Sequence, residues 1–115
     1  MAIKINTEKR IFTLETKHTM YQMQADTYGV LRHLWYGAKT GCDMSYLQDY
    51  PDVGFSGNPH DAGNDRTYSL DTLPLEYAGA GIGDFRVPAV EAVHADGSCA
   101  LDLRYYSHTV KQGKY

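Results

Sequence analysis

The stretch AIKINTEKRIFTLETKHTMYQMQ at residues 2–24 decides the fold class. Apolar and polar side chains alternate through AIKIN at 2–6, RIFTLET at 10–16 and HTMYQMQ at 18–24. A period of two sends successive side chains to opposite faces, which is how a half-buried strand reads. Three such runs separated by short polar turns predict an antiparallel meander. Residues 25–29 supply the next turn, with Asp26 and Gly29, and VLRHLWY at 30–36 resumes. The spacing of Val30, Leu31, Leu34 and Trp35 also fits one face of a helix, but the β-branched and aromatic neighbours and the closing Gly37 favour a fourth strand.

Beyond the meander the pattern breaks from about 38 to about 83, where turn formers cluster at 50–52, 57–59 and 62–64. A loop this long in a small domain is functional or disordered. Tyr46, Leu47, Tyr50, Phe55, Tyr68, Leu70, Leu73, Leu75 and Tyr77 are too many apolar anchors for a solvated linker, so an ordered loop packed on the sheet, with brief strands inside it, is expected. The polar run DRTYSLDTLPLEY at 65–77 follows neither strand nor helix period, which marks it as a loop whose residues answer to something other than core packing. VPAVEAVH at 87–94, the turn Ala95-Asp96-Gly97 and CALDLRYYSHTV at 99–110 read as a β-hairpin, since Asp-Gly suits a turn that needs positive φ.

At 115 residues the chain holds one domain with one modest core. Its formal charge of −3 lacks the basic excess of a nucleic-acid partner. No apolar run approaches the roughly 20 residues that span a bilayer, and the N-terminus has no signal-peptide core, so a soluble, cytoplasmic protein without a membrane partner is expected. Cys42 and Cys99 lie far apart without a CxxC neighbour, the pattern of two reduced thiols rather than of zinc or redox chemistry. Ten of the fourteen aromatic residues are tyrosine, suited to half-buried sheets and to sugar-facing surfaces alike.

Between Asp43 and Asp84 the acids are Asp43, Asp49, Asp52, Asp61, Asp65, Asp71, Glu76 and Asp84, and the only Lys or Arg is Arg66. No D-x-[DN]-x-[DN]-G rhythm supports calcium, and no metal or other cofactor is implied. Two readings remain open. In one, Asp and Arg side chains bond a neutral polyhydroxyl ligand while Phe55, Tyr50 or Tyr68 covers its C–H face. In the other, Asp65 caps a local turn and Arg66 pairs with Asp71 or Glu76. Catalysis finds no support: no matched carboxylate pair is cued, His18, His33, His60, His94 and His108 form no metal motif, and Ser56 sits outside any nucleophile elbow.

FSGNP at 55–59, DRTYSLDTLPLEY at 65–77, GDFR at 83–86 and DLRYYSH at 102–108 together resemble the N-terminal domain of bacterial α-galactosidases of glycoside hydrolase family 36. The resemblance runs over nearly the whole chain, including LWYG at 34–37; Tyr68 stands where the family often has phenylalanine, and Leu75 where glutamine is common. It implies an all-β, antiparallel, supersandwich-like β-sandwich carrying the long ordered loop. It implies further that residues 1–115 are one domain of a longer polypeptide, followed by a catalytic (β/α)₈ barrel that holds both catalytic aspartates. This chain would then be inactive alone, and no catalytic residue is assigned to it. Family members are commonly tetramers whose loop reaches a neighbour's active site, so by position Asp52 and Arg66 are the substrate-binding candidates, meeting in trans a terminal α-galactoside such as melibiose or a raffinose-type sugar. Trp35 and Phe85 are assigned to core or interface. The rival reading is a free-standing carbohydrate-binding or protein-interaction module.

Overall fold

The computed structural model describes residues 2–48, 50–52 and 59–113. Strands β1 (Ala2–Asn6), β2 (Ile11–Glu15), β3 (Thr19–Ala25) and β4 (Leu31–Ala38) form one antiparallel sheet in the order β1-β2-β3-β4. The expected meander is therefore present, its strands displaced by a residue or two at their ends. Helix is confined, among the described residues, to two single 3₁₀ turns, Ser45–Leu47 and His60–Ala62, and no helix is long and apolar enough to cross a membrane.

Register follows from the alternation. Ile3 lies opposite Leu14 and Ile5 opposite Phe12, while Leu14 meets Tyr21 and Tyr21 meets Tyr36, so one face of the sheet is apolar and aromatic. A bulge between Gln22 and Met23 lets Gln22 pair with Trp35 and Met23 with His33. The residue left over is Leu34, which is buried with Ile11, Met20 and Met44 against the opposite face. Loop residues close that face: Met44 N donates to Gln22 Oε1 at 2.8 Å, and Gln22 Nε2 donates to Thr13 Oγ1 and to the Cys42 carbonyl. On the aromatic face Phe12 packs edge-on against His108, with ring centroids 4.9 Å apart. With cover on both sides, β2 buries Ile11, Phe12, Thr13 and Glu15 together.

A second cluster of Val30, Ala62, Tyr68, Leu70 and Leu73 joins the loop to the end of the sheet, with Tyr28, Tyr50, Leu75 and Ile82 packed around it. Residues 74–76 then run along the outer edge of β4. His33 N donates to the Pro74 carbonyl at 2.7 Å, Glu76 N donates to the Leu31 carbonyl at 3.0 Å, and Arg32 bridges Leu75 antiparallel. The described residues thus form a single sheet flanked by irregular segments, with no second facing sheet among them.

The C-terminal hairpin is not formed. Its turn exists, with His94 N bonded to the Ser98 carbonyl and Gly97 N to the His94 carbonyl, but no ladder extends along 87–94 and 99–110. Both arms turn instead to residues 78–80. Ala89 N donates to the Ala78 carbonyl and Leu101 N to the Ala80 carbonyl, each at 2.9 Å. Two physical reasons decide this. Residues 91–100 are nearly all exposed, so no buried face rewards pairing the arms with each other. Residues 78–80 are Ala-Gly-Ala, which lets backbones approach closely: a Cβ on Gly79 would lie 2.2 Å from the Leu101 carbonyl oxygen, and one on Gly81 would lie 2.9 Å from the Ala100 Cα. Further along, Tyr105 N reaches back to the Gly29 carbonyl at 2.7 Å.

Candidate functional site

Asp26, the first residue after β3, carries the base of the loop. Its Oδ1 accepts from the backbone amides of Tyr28 and Val30, both at 2.9 Å, which fixes the β3–β4 turn around Gly29 at φ +79°. Its Oδ2 accepts from Arg32 Nε and Nη2 at 2.8 Å and from the Tyr68 hydroxyl at 2.5 Å. Arg32 Nη1 donates to Gln48 Oε1 at 3.0 Å, and the guanidinium stands 5.0 Å from the centre of the Tyr68 ring. Asp26, Arg32 and Tyr68 are 8%, 13% and 4% exposed, so this is a buried polar network with its charges paired. Burial, then the hydrogen bond to Asp26, pushes the Tyr68 hydroxyl well above the ordinary tyrosine range.

Above that base, Tyr68 N donates to the Asp65 carbonyl at 3.1 Å and closes a turn over 65–68. Asp65 Oδ1 accepts from Thr67 N at 3.0 Å and from Thr67 Oγ1 at 2.6 Å, and these bonds hold the Asp65 carboxyl below its usual range. Arg66 occupies the middle of this turn and projects outward, with 62% of its side chain exposed. Its Nε lies 3.2 Å from Asp52 Oδ1, and Asp52 is 55% exposed. The two residues singled out in the sequence therefore meet across the loop. Asp65 does cap a turn, as the local reading expects, but Arg66 pairs with neither Asp71 nor Glu76. Asp71 Oδ1 accepts from Phe85 N at 3.0 Å, while Glu76 bonds the Tyr21 hydroxyl and His33 Nδ1. An exposed ion pair such as Asp52–Arg66 contributes about 0–1 kcal/mol.

The aromatic partners expected for a sugar are placed otherwise. Tyr68 is buried and offers no open face, and Tyr50 is partly buried against the loop cluster; both supply apolar surface that holds the loop on the sheet. Phe55 and Ser56 lie outside the described residues. Trp35 packs at the margin of the sheet core, whereas Phe85 is 88% exposed and is no core residue. Cys42 and Cys99 are free and exposed.

The acidic run finds its bases at a distance. Lys9 Nζ reaches Asp43 at 2.8 Å, and Arg104 approaches Asp61 at 3.5 Å. Two Asp-x-Arg forks pin the motif segments, one to the loop and one to the β3–β4 turn. Arg86 Nε and Nη2 both grip Asp84 at 2.9 Å, and Nη2 also donates to the Leu70 carbonyl at 2.7 Å. Arg104 grips Asp102 through Nε and Nη2 while Nη1 donates to the Tyr28 carbonyl at 2.9 Å. Sequence reasoning missed Arg32 and Gln48 and took Asp26 as a plain turn residue. An arginine inside a mainly apolar strand was the available signal for a buried partner.

The glycosyl hydrolase family 36 N-terminal domain matches residues 29–115. The chain is 52% identical over its full length to the bifunctional alpha-galactosidase/sucrose kinase AgaSK of Mediterraneibacter gnavus, and 40% identical over 97% of its length to the alpha-galactosidase Mel36A of Lactobacillus acidophilus. It spans only 12% and 15% of those two proteins. Among solved structures, the galactosidase domain of AgaSK superposes over 99% of this chain with a TM-score of 0.95, and the alpha-galactosidase AgaB of Geobacillus stearothermophilus over all of it with a TM-score of 0.85 and 39% identity. The chain makes up 16% and 15% of those structures. With three quarters of its residues inside the family match and its fold superposing on these structures, the chain belongs to the N-terminal domain family of the glycosyl hydrolase family 36 α-galactosidases.

Proposed function

We propose that this chain is a non-catalytic domain of an α-galactosidase, that it packs on the catalytic barrel of the same enzyme, and that its loop completes the sugar site of a neighbouring subunit in an oligomer. The reading rests on one observation above the others: Asp52 and Arg66, from opposite sides of the loop, meet on its outer surface as an exposed carboxylate–guanidinium pair. Such a pair offers acceptors and donors together to the hydroxyl groups of a sugar. An AgaA variant from Geobacillus stearothermophilus, 37% identical to this chain over 91% of its length, was solved in complex with raffinose, which supports a raffinose-type substrate class.

Packing on further protein is supported by the surface. Phe85, Val87 and Tyr106 are 88%, 90% and 94% exposed, and the radius of gyration of 15.8 Å exceeds the about 13 Å of a compact domain of this length. Family membership favours this reading over a free-standing sugar-binding module.

The test is Arg66→Ala in the full-length enzyme. Loss of a charged hydrogen bond to sugar lowers kcat/KM on raffinose by about 1–3 kcal/mol of transition-state stabilisation. Unchanged kinetics on galactosides would remove Arg66 from the site. The 115-residue chain alone is expected not to hydrolyse a chromogenic α-galactoside, and activity that follows the pure chain would sink the proposal.

A further inference from the structure

We infer that Arg32, working with Asp26 and Tyr68, is the positioning residue that sets the geometry of the Asp52–Arg66 pair; the inference rests on the sugar-facing role proposed for that pair. The two side chains come from opposite arms of the loop, and nothing in their own exposed contact holds the arms at a fixed distance. Arg32 touches both arms. Its Nη1 holds Gln48, four residues before Asp52, at 3.0 Å, and its guanidinium face lies over Tyr68, two residues after Arg66, at 5.0 Å. Its remaining edge is locked by two 2.8 Å contacts to Asp26 Oδ2, the same oxygen that accepts from the Tyr68 hydroxyl.

The anchor itself is rigid. Arg32 sits within β4, paired to Gln24 on one side and bridged to Leu75 on the other. A planar fork whose donors point in fixed directions transmits that rigidity to both arms, which an apolar side chain filling the same space would not do. Tyr68 passes the constraint upward, because its backbone amide closes the turn that carries Arg66. A misplacement of about 1 Å in a substrate-positioning group can cost on the order of 100-fold, so such a base acts on the substrate without touching it.

The experiment uses the full-length α-galactosidase that carries this domain, with raffinose and p-nitrophenyl α-galactoside as substrates. Arg32→Lys keeps the charge and loses the fork, and Tyr68→Phe keeps the ring and loses the hydroxyl. Gln48→Ala, at a half-exposed position, removes one arm's contact alone and covers the case in which a buried variant does not fold. Each is made in the parent and in an Arg66→Ala background. In the parent, KM for raffinose rises by about tenfold, the equivalent of one charge-assisted hydrogen bond, while kcat stays within about twofold. In the Arg66→Ala background the same changes raise KM little further, because the pair whose geometry they set is already broken. Unchanged KM in the parent overturns the inference, as does an equal rise in both backgrounds, the mark of a merely structural role. If Arg66→Ala itself leaves KM unchanged, the proposed site fails and this inference falls with it; if Arg66→Ala raises KM and the Arg32, Tyr68 and Gln48 variants do not, the site stands and the inference alone is lost.

Discussion

Replacing Asp26 by alanine should be the most destabilising single polar change in the described structure. Its carboxylate satisfies the amides of Tyr28 and Val30, the Tyr68 hydroxyl and two donors of an arginine that is only 13% exposed. Breaking a buried pair by removing one partner costs about 3–5 kcal/mol, since the remaining charge stays desolvated and unpaired. A domain of this length has roughly 6–17 kcal/mol of stability, so the loss is a large share of the total. Asp26→Asn keeps an acceptor for the two amides but forfeits the charge, and a loss of about 1.5–3 kcal/mol is expected. The combination Asp26→Ala with Arg32→Met removes the stranded charge as well, so it should be less damaging than the sum of the two single changes. Urea unfolding of the 115-residue chain, followed by circular dichroism, reads these differences as midpoint shifts of about 1–3 M at a typical urea m-value for a small domain. An Asp26→Ala midpoint close to the parent, or a double variant as unstable as the summed singles, would refute the reasoning.

Leu73, 1% exposed at the centre of the loop cluster, should lose about 2–5 kcal/mol on truncation to alanine, again read by urea midpoint; a change below 1 kcal/mol would mean the cluster collapses around the gap. Asp43, held by hydrogen bonds from Lys9 and then Ser45, is drawn down to about pH 2. A carboxyl whose folded value lies below its unfolded one stabilises the fold fully above the ordinary carboxylate range, and that contribution disappears as pH falls through about 2. Carboxyl-carbon NMR should place the Asp43 titration there and show it rising toward the ordinary value of about 3.9 in Lys9→Met. An unmoved titration would assign the shift to Ser45 instead.

The meander was legible because strand alternation is local: each of the runs at 2–6, 10–16, 18–24 and 30–36 carries its own inside and outside faces. The C-terminal hairpin failed for the complementary reason. Asp96-Gly97 encodes a turn, and the turn is there, but whether the arms pair depends on what else can take their backbone groups and on whether a face is buried, neither of which lies in the turn. In the site, Arg66 stood out by charge, as the lone Lys or Arg in an acidic run. Its partner could not be read, because Asp52, Asp71 and Glu76 are all within reach along the chain and only the fold commits Asp71 to Phe85 and Glu76 to Tyr21 and His33. The same holds for the acids that looked segregated: Lys9 and Arg104 come from outside the loop and are invisible to a local count.

Residues 78–81 look like filler, a run of alanine and glycine between motifs. The missing side chains of Gly79 and Gly81 are what allow the 100–101 backbone to press against them, and from there the chain goes on to bond Gly29 through Tyr105, directly beneath the turn held by Asp26. A methyl group added at Gly79 would therefore be felt beyond its own neighbourhood, as a wedge that lifts the C-terminal segment away from the base of the loop. Two of the chemically plainest positions, Gly79 and Gly81, thus leave almost no room for change, while the charged and conspicuous Arg66 can be replaced without disturbing the packing beneath it.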